Sequence, residues 1–277
     1  MLKTRILTAL VLLAVLLPVL YSNNFTAFAV VVTAFFGAAI WETFRLFNPK
    51  SNKALIVAAF WTVAFAWTFF LSGNGAGQTF WFVISVLVWL LRFAPSLKTG
   101  LPPLGSVGNT LLSLTYAVAL VGCFAAIVAL YAYSPLYLLS VLAIVWCADI
   151  FAYFCGKAFG KRKLAPSISP GKSWEGAIGG AIAVLVIASL TVLYGGPALA
   201  NTFAVRVQHA FGWPALVAVL VLMSAASVVG DLFESQLKRR AGMKDSSNLL
   251  PGHGGVLDRI DALIPVLPLA ALIGSRL

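Results

Sequence analysis

Carboxylates that could bind a divalent metal gather in the C-terminal half of the sequence. The chain has eight acidic residues, and seven of them lie after residue 148. Asp258 and Asp261 are three residues apart, so a helix would place both carboxylates on one face, and Asp231 lies upstream. Such oxygen ligands suit Mg²⁺, which takes one or two carboxylates together with waters and phosphates. The alternative for each single aspartate is an ion pair with a nearby Lys or Arg.

Basic residues lie beside these acids in the sequence. Lys238, Arg239, Arg240 and Lys244 form one run, and Arg259 stands between two of the aspartates. An arginine can clamp a phosphate with two hydrogen bonds, whereas a lysine acts as a point charge. The mixture predicts a site for both metal and phosphate. The alternative is a set of cytoplasmic positive charges that only orient the chain in a membrane, and we favour that alternative for Arg240.

A glycine-rich turn joins the basic run to the last aspartates. It reads PGHGG over residues 251–255, and the flexibility of Gly254 and Gly255 would let backbone N–H groups approach an anion ahead of a helix. His253 could donate to a phosphate or act as an acid. The alternative is a loop histidine that neither contacts a phosphate nor acts as an acid.

A second loop carries Lys172 and Ser173, which we expect to contact phosphate. Its Gly-Lys-Ser triplet resembles the end of a nucleotide-binding P-loop, but Pro166 stands where that motif needs its first glycine, and no strand is predicted before it. We therefore exclude a P-loop. Asp149 lies deepest among the acids, and it is either a contact of substrate or metal or a buried partner of a loop cation.

The amino-acid composition of the chain is typical of a membrane protein. Of the 277 residues, 61% are hydrophobic and 10% charged, and the mean hydropathy is +0.98. Soluble domains are about 45–50% apolar and about 25% charged. Three cysteines in apolar segments are too few for a disulfide scaffold. The chain is therefore predicted to be an integral membrane protein.

Apolar segments long enough to cross a bilayer recur along the whole chain. Without the alternation of barrel strands, they predict an all-α polytopic protein with about nine transmembrane helices. The segment after Lys3 and Arg5 resembles a signal peptide but has no small-residue cleavage site, so it is retained as a span. The predicted spans are residues 6–21, 25–47, 54–71, 79–97, 107–131, 136–156, 174–194, 213–234 and 256–273.

Basic residues orient these spans. With the N-terminus in the cytoplasm and the C-terminus outside, 17 of the 19 Lys and Arg residues fall on the cytoplasmic side, as the positive-inside rule predicts. We expect one transmembrane domain over 1–277, in which 1–131 forms the N-terminal spans and 132–277 carries the catalytic spans and loops. Nucleic-acid binding is not expected, because no soluble domain is present to carry a recognition surface.

The C-terminal motifs resemble one family. The segment SQLKRRAGMKDSSNLLPGHGGVLDRID at 235–261 is similar to the signature of phosphatidate cytidylyltransferases. The stretches GDLFES at 230–235, SPGKSWEG at 169–176 and DIFAYFCGK at 149–157 also resemble the family. Two positions depart from it: Ala262 stands where members often carry Ser, and Gly171 where Lys or Asn is common.

The resemblance implies an enzyme that converts CTP and phosphatidic acid to CDP-diacylglycerol and diphosphate with Mg²⁺, with K⁺ as a candidate second cation. It implies that Asp231 and Asp258 are metal ligands with Asp261 beside them, and that Ser235 and Lys238 line the nucleotide or phosphate site. It places the enzyme in a bacterial cytoplasmic membrane, with the active site facing the cytoplasm and with membrane lipid around it. A homodimer is one open alternative for its assembly.

Two alternatives remain open at this level. One is a CTP-dependent cytidylyltransferase that acts on another lipid phosphate, since the sequence does not show which acyl or isoprenoid tails fit. The other is a cation-coupled transporter, because acids in a membrane also mark ion paths. Transporters usually show repeated halves with a site at the midplane, whereas the charges here are predicted on one side.

Overall fold

The computed structural model describes residues 2–22, 24–71 and 77–277, and only the backbone for residues 2–7, 9 and 12. It is 78% helical, which confirms the all-α prediction. The helices are α1 (Leu2–Tyr21), α2 (Phe25–Phe47), α3 (Ala54–Leu71), α4 (Gln78–Thr99), α5 (Val107–Tyr133), α6 (Pro135–Phe159), α7 (Trp174–Tyr194), α8 (Phe203–Arg240), α9 (Leu257–Ile260) and α10 (Leu263–Gly274). Two strands, β1 (Lys163–Ala165) and β2 (Ser169–Ser173), lie between α6 and α7.

Seven of these helices, α2 to α8, are long and apolar enough to cross a membrane. They coincide with seven of the predicted spans and support a polytopic membrane protein. The first predicted span does form a helix, α1, but α1 is not among the seven.

The last predicted span, 256–273, is not one continuous helix. It is divided into α9 and α10, and the 12 residues of α10 rise about 18 Å, less than the roughly 30 Å of a bilayer core. Pro265 explains the break, because a proline has no N–H for the carbonyl four residues earlier, that of Asp261, and its ring clashes with that carbonyl. The predicted outer loop 195–212 is also wrong in part, since α8 begins at Phe203 and is interrupted only at Gly212, where φ is +78°.

The predicted inner loop 157–173 contains a hairpin. Its strands are antiparallel, with Lys163 opposite Ser173. The carboxylate of Glu175 accepts hydrogen bonds from the backbone N–H groups of Lys161 and Arg162, at 3.2 Å each, and so ties the base of the hairpin to α7. The hydroxyl of Ser173 accepts from the N–H of Gly176 and caps the same helix.

The core is built around α5, whose apolar face is buried by α2, α4 and α10. Beside this core, α6 and α7 approach each other closely. A Cβ atom at Gly180 of α7 would lie 2.5 Å from the carbonyl oxygen of Ala148 on α6, so only glycine permits this contact. The α6–α7 pair is therefore a tightly packed wall, and this wall lines the site described next.

Candidate active site

A cavity of about 510 Å³ lies between α6, α7, α8, α9 and the hairpin. Its lining includes seven of the residues predicted from the sequence to form the site, which come from four separate segments of the chain. The first of its lining acids is Asp149 on α6, which forms no ion pair within 4.0 Å among the described residues. The seven are Asp149, Lys172, Ser173, Asp231, Asp258, Arg259 and Asp261.

Lys172 reaches across this cavity from the hairpin to α8. Its Nζ lies 2.6 Å from Oδ2 of Asp231, and both side chains remain partly exposed, at 24% and 32%. The other carboxylate oxygen, Oδ1, accepts a hydrogen bond of 3.2 Å from the hydroxyl of Ser235 one turn along α8. The sequence Gly-Lys-Ser lies within strand β2, so it does not form the phosphate-binding loop of a P-loop protein. The sequence analysis expected no strand before this triplet, and that expectation was wrong, because β1 precedes it.

Lys238 joins two acids beneath the cavity. Its Nζ donates to Oε2 of Glu234 at 2.7 Å and to Oδ1 of Asp258 at 2.6 Å. The Glu234 side chain is fully buried and that of Asp258 is 4% exposed. Lys238 therefore bridges two buried acidic side chains, and its ammonium already has two acceptors.

Both oxygens of Asp258 are occupied by donors. Oδ1 accepts from Lys238, while Oδ2 accepts from the N–H of Ser246 at 2.8 Å, the hydroxyl of Ser246 at 2.9 Å and the N–H of Gly255 at 2.8 Å. Burial disfavours ionisation of this carboxyl, but the bonds from Lys238 and the two backbone amides outweigh it and lower its pKa below the ordinary value. Asp258 is thus held as a carboxylate.

Asp261 lies at the break between α9 and α10. Burial, and then the charge of nearby Asp231, raise the pKa of Asp261 to about 7, although its Oδ1 accepts a hydrogen bond from the N–H of Ala262. Gly230 allows this segment to approach α8, because a Cβ atom there would collide with the carbonyl oxygen of Asp261. A cation placed beside Asp261 would favour the ionised form of its carboxyl group.

A second cavity, of about 460 Å³, contains another part of the predicted set. Its lining includes Lys244, His253, Gly254 and Arg259, so Arg259 borders both cavities. The Arg259 guanidinium donates from Nε and Nη2 to the carbonyl oxygen of His253, at 3.0 and 2.6 Å. Gly254 has a φ of +84°, and a Cβ atom there would lie 2.7 Å from Oδ2 of Asp258, so a glycine is required.

The remaining basic residues differ from one another. Lys244 and Arg239 are exposed. Arg240, interpreted from the sequence as a plain surface charge, is instead a structural contact: its Nη1 donates to the carbonyl oxygen of Pro102 at 2.8 Å, and its guanidinium lies 5.0 Å from the ring centre of Phe47. That expectation was wrong because both partners come from distant parts of the chain.

Sequence reasoning missed the acid that organises the loop between α8 and α9. Glu42, on α2, is fully buried and accepts hydrogen bonds from the hydroxyls of Ser246 and Ser247 and from the N–H groups of Val256 and Leu257. The one available indication was that Glu42 is the only acid before residue 148 in a strongly apolar segment.

The aspartates suit a divalent cation that is shared with a substrate. Among the described residues, no group of three or more His, Cys, Asp or Glu side chains is gathered closely enough to hold a metal alone. Asp231 and Asp258 are instead paired with Lys172 and Lys238. Mg²⁺ needs only one or two carboxylates when phosphates and waters complete its shell, and the cavity offers such a donor set at Asp231 and Asp261.

The chain is similar to one family of known proteins over nearly its whole length. The model of the cytidylyltransferase family matches residues 3–276. The phosphatidate cytidylyltransferase of Haemophilus influenzae is 36% identical over 97% of this chain and 96% of its own length, and that of Pseudomonas aeruginosa is 38% identical over 98% and 96%. That of Bacillus subtilis is 32% identical over 96% and 95%. The chain therefore belongs to the cytidylyltransferase family.

Proposed function

We propose that the chain is a membrane phosphatidate cytidylyltransferase that converts CTP and phosphatidic acid to CDP-diacylglycerol and diphosphate. The observation that carries the proposal is the first cavity, where Lys172 and Arg259 lie with Asp231, Asp258 and Asp261 among apolar helices. Family membership and relatives named for this activity support it.

The reaction requires that two anions meet. An oxygen of the lipid phosphate attacks the α-phosphorus of CTP, a new P–O bond forms, and the bond between the α-phosphorus and the bridging oxygen breaks as diphosphate leaves. The lipid phosphate is already an anion, so no strong general base is required. Positioning and charge neutralisation are the main tasks of the protein in such a transfer.

The cations of the cavity perform these tasks in our proposal. Lys172 exchanges its partner Asp231 for a substrate phosphate when the substrates enter. Arg259 borders both cavities, so it can hold a phosphate group of a nucleotide that extends from one into the other. We assign Lys238 to holding Asp258, because its ammonium already contacts two carboxylates.

Asp231 and Asp261 are the residues that we propose to hold Mg²⁺, with Asp258 beside them. Bound there, the ion would supply charge neutralisation for the phosphate oxygens. Loops predicted to be cytoplasmic, residues 157–173 and 235–255, contribute to the lining of the two cavities. A cytoplasmic opening in a bacterial inner membrane follows in the proposal, because CTP is a cytosolic nucleotide.

The test is product formation by purified protein in detergent with phosphatidic acid and labelled CTP, with Mg²⁺ or with EDTA. We expect labelled CDP-diacylglycerol that depends on the metal, and its loss in Asp231→Asn. Product from an isoprenoid phosphate and none from phosphatidic acid would identify a different lipid substrate. Folded protein that gives no product from either lipid would refute the proposal.

A further inference from the structure

Glu42, the only acidic residue of the sequence before position 148, is fully buried and accepts four hydrogen bonds. Its Oε2 accepts from the N–H of Leu257 at 2.6 Å and from the hydroxyl of Ser246 at 3.1 Å, and its Oε1 accepts from the N–H of Val256 at 3.0 Å and from Ser247. All four donors belong to the segment 246–257, more than 200 residues away in the chain.

Three of these donors, the Ser247 hydroxyl and the N–H groups of Val256 and Leu257, would otherwise be unpaired among the described residues, whereas the single hydroxyl hydrogen of Ser246 can also go to Oδ2 of Asp258. Leu257 is the first residue of α9, and Val256 is its N-cap. The first N–H groups of a helix have no partner within the helix. Ser246, Ser247, Val256 and Leu257 are all buried, so water does not readily replace the carboxylate. A buried donor without an acceptor costs about 1–3 kcal/mol, and Glu42 therefore fixes this segment strongly.

The same segment holds Asp258. Ser246 contacts both carboxylates: its hydroxyl faces Glu42 and Asp258, and its N–H donates to Asp258. Gly255 lies between them, because a Cβ atom at that position would collide with the Ser246 hydroxyl and with the carboxylate of Glu42. Glu42, Ser246, Gly255 and Asp258 thus form one connected unit.

We propose that Glu42 is a positioning residue for catalysis, which acts through Ser246 to set the place of Asp258 at the cavity. Through Glu42, the N-terminal half of the chain contributes to the reaction indirectly. The catalytic part of this inference rests on the proposed function, whereas the structural part, the ordering of residues 244–258, does not.

A carboxylate is needed at this position because the loop presents only donors that must be accepted. In Glu42→Gln the side chain keeps its size, but one end becomes an NH₂ group that faces an N–H or a serine hydroxyl. The change therefore perturbs the loop with little change in volume. The matched control is Thr43→Val, because Thr43 is equally buried on α2 and its hydroxyl has no hydrogen-bond partner among the described residues.

The experiment compares steady-state kinetics of wild type, Glu42→Gln, Thr43→Val and Ser246→Ala in detergent. We expect Glu42→Gln to lower kcat roughly 10- to 100-fold, as loss of a group that orients a functional side chain typically does, with KM for phosphatidic acid unchanged. Thr43→Val should keep the wild-type kcat. The double variant Glu42→Gln/Ser246→Ala should lose no more than the more damaged single variant, because effects through one shared path do not add.

Amide hydrogen exchange supplies a measurement that is independent of turnover. Glu42→Gln should exchange faster over residues 244–258 than wild type, and Thr43→Val should not. Wild-type kcat in Glu42→Gln, losses that multiply in the double variant, or equal damage in Thr43→Val would overturn the inference. If wild type makes no CDP-diacylglycerol while the exchange result holds, the proposed function fails and the ordering role of Glu42 stands. If Glu42→Gln does not fold, wild-type kcat in Ser246→Ala would overturn the inference.

Discussion

Two lysine–aspartate ion pairs have the same length, but removing the lysine should mainly lower activity for one pair and mainly lower thermal stability for the other. Lys172–Asp231 and Lys238–Asp258 both measure 2.6 Å, but the side chains of the first are 24% and 32% exposed and those of the second 13% and 4%. Lys238 also neutralises the fully buried Glu234. Breaking a buried pair from one side costs about 3–5 kcal/mol, whereas a solvent-screened pair contributes about 1 kcal/mol or less.

These free energies convert to melting temperatures. With an unfolding entropy of about 2 cal/mol/K per residue, Lys238→Met should lower the Tm by about 5–9 °C, and Lys172→Met by about 2 °C or less. For Lys172→Met, activity should fall much more than thermal stability. Losing one charged contact to a phosphate costs about 1.5–3 kcal/mol, so Lys172→Met should lower kcat/KM by roughly 10- to 150-fold while it remains folded.

The assay is thermal unfolding of the detergent-solubilised variants, followed by CDP-diacylglycerol synthesis well below each Tm. Methionine retains most of the aliphatic stem of lysine, so packing changes little. A Lys172→Met protein that melts as early as Lys238→Met would show that the hairpin contact is structural. A Lys238→Met protein that melts like wild type would refute the assignment of Lys238 as the counter-charge of buried acids.

Three further outcomes follow from the same contacts. Gly255→Ala should abolish activity and lower the Tm, because its Cβ would meet Ser246 and Glu42; an active, stable variant would contradict that packing. Arg240→Ala should lower the Tm by releasing the contacts to Pro102 and Phe47, and an unchanged Tm would mean that Arg240 is only a surface charge. Because burial raises the pKa of Asp261 to about 7, its protonated form stabilises the metal-free fold at low pH. This stabilisation is lost as the pH rises through 7. Stabilisation by added Mg²⁺ should therefore grow from about pH 6 to about pH 8, and Asp261→Asn should flatten that dependence in thermal-shift measurements.

Much of the fold follows from the lengths of apolar segments. Seven predicted spans became helices because each supplies enough consecutive apolar residues to bury its backbone hydrogen bonds within a helix. The spacing of charged residues also indicated that Lys172 and the three C-terminal aspartates belong to one site, and they line one cavity. Local sequence sufficed for the spans because each lies within a single segment, and the site was predictable because its charged residues share one predicted side of the membrane.

What the sequence left undetermined depends on contacts between distant segments. The pairing of Glu42 with Ser246 spans 204 positions, and no periodicity in either segment indicates the other. Arg240 is similar, because its acceptor at Pro102 lies 138 positions away. The break at Asp261 was visible in Pro265, but hydropathy outweighed the proline in the span prediction.

The arrangement of acids explains why both halves of the chain are needed. Asp231 and Asp261 border the cavity, where a metal cation can take the place of Lys172 beside Asp231 and so free its ammonium for a phosphate. Glu42 and Glu234 are fully buried, so they cannot serve entering substrates, and each instead holds a group that contacts Asp258: Glu42 holds Ser246, and Glu234 holds Lys238. Asp258 is thus fixed from two helices that the membrane fold brings together. Because a preorganised site does not reorganise as charge develops, this fixed carboxylate favours catalysis more than a mobile one would.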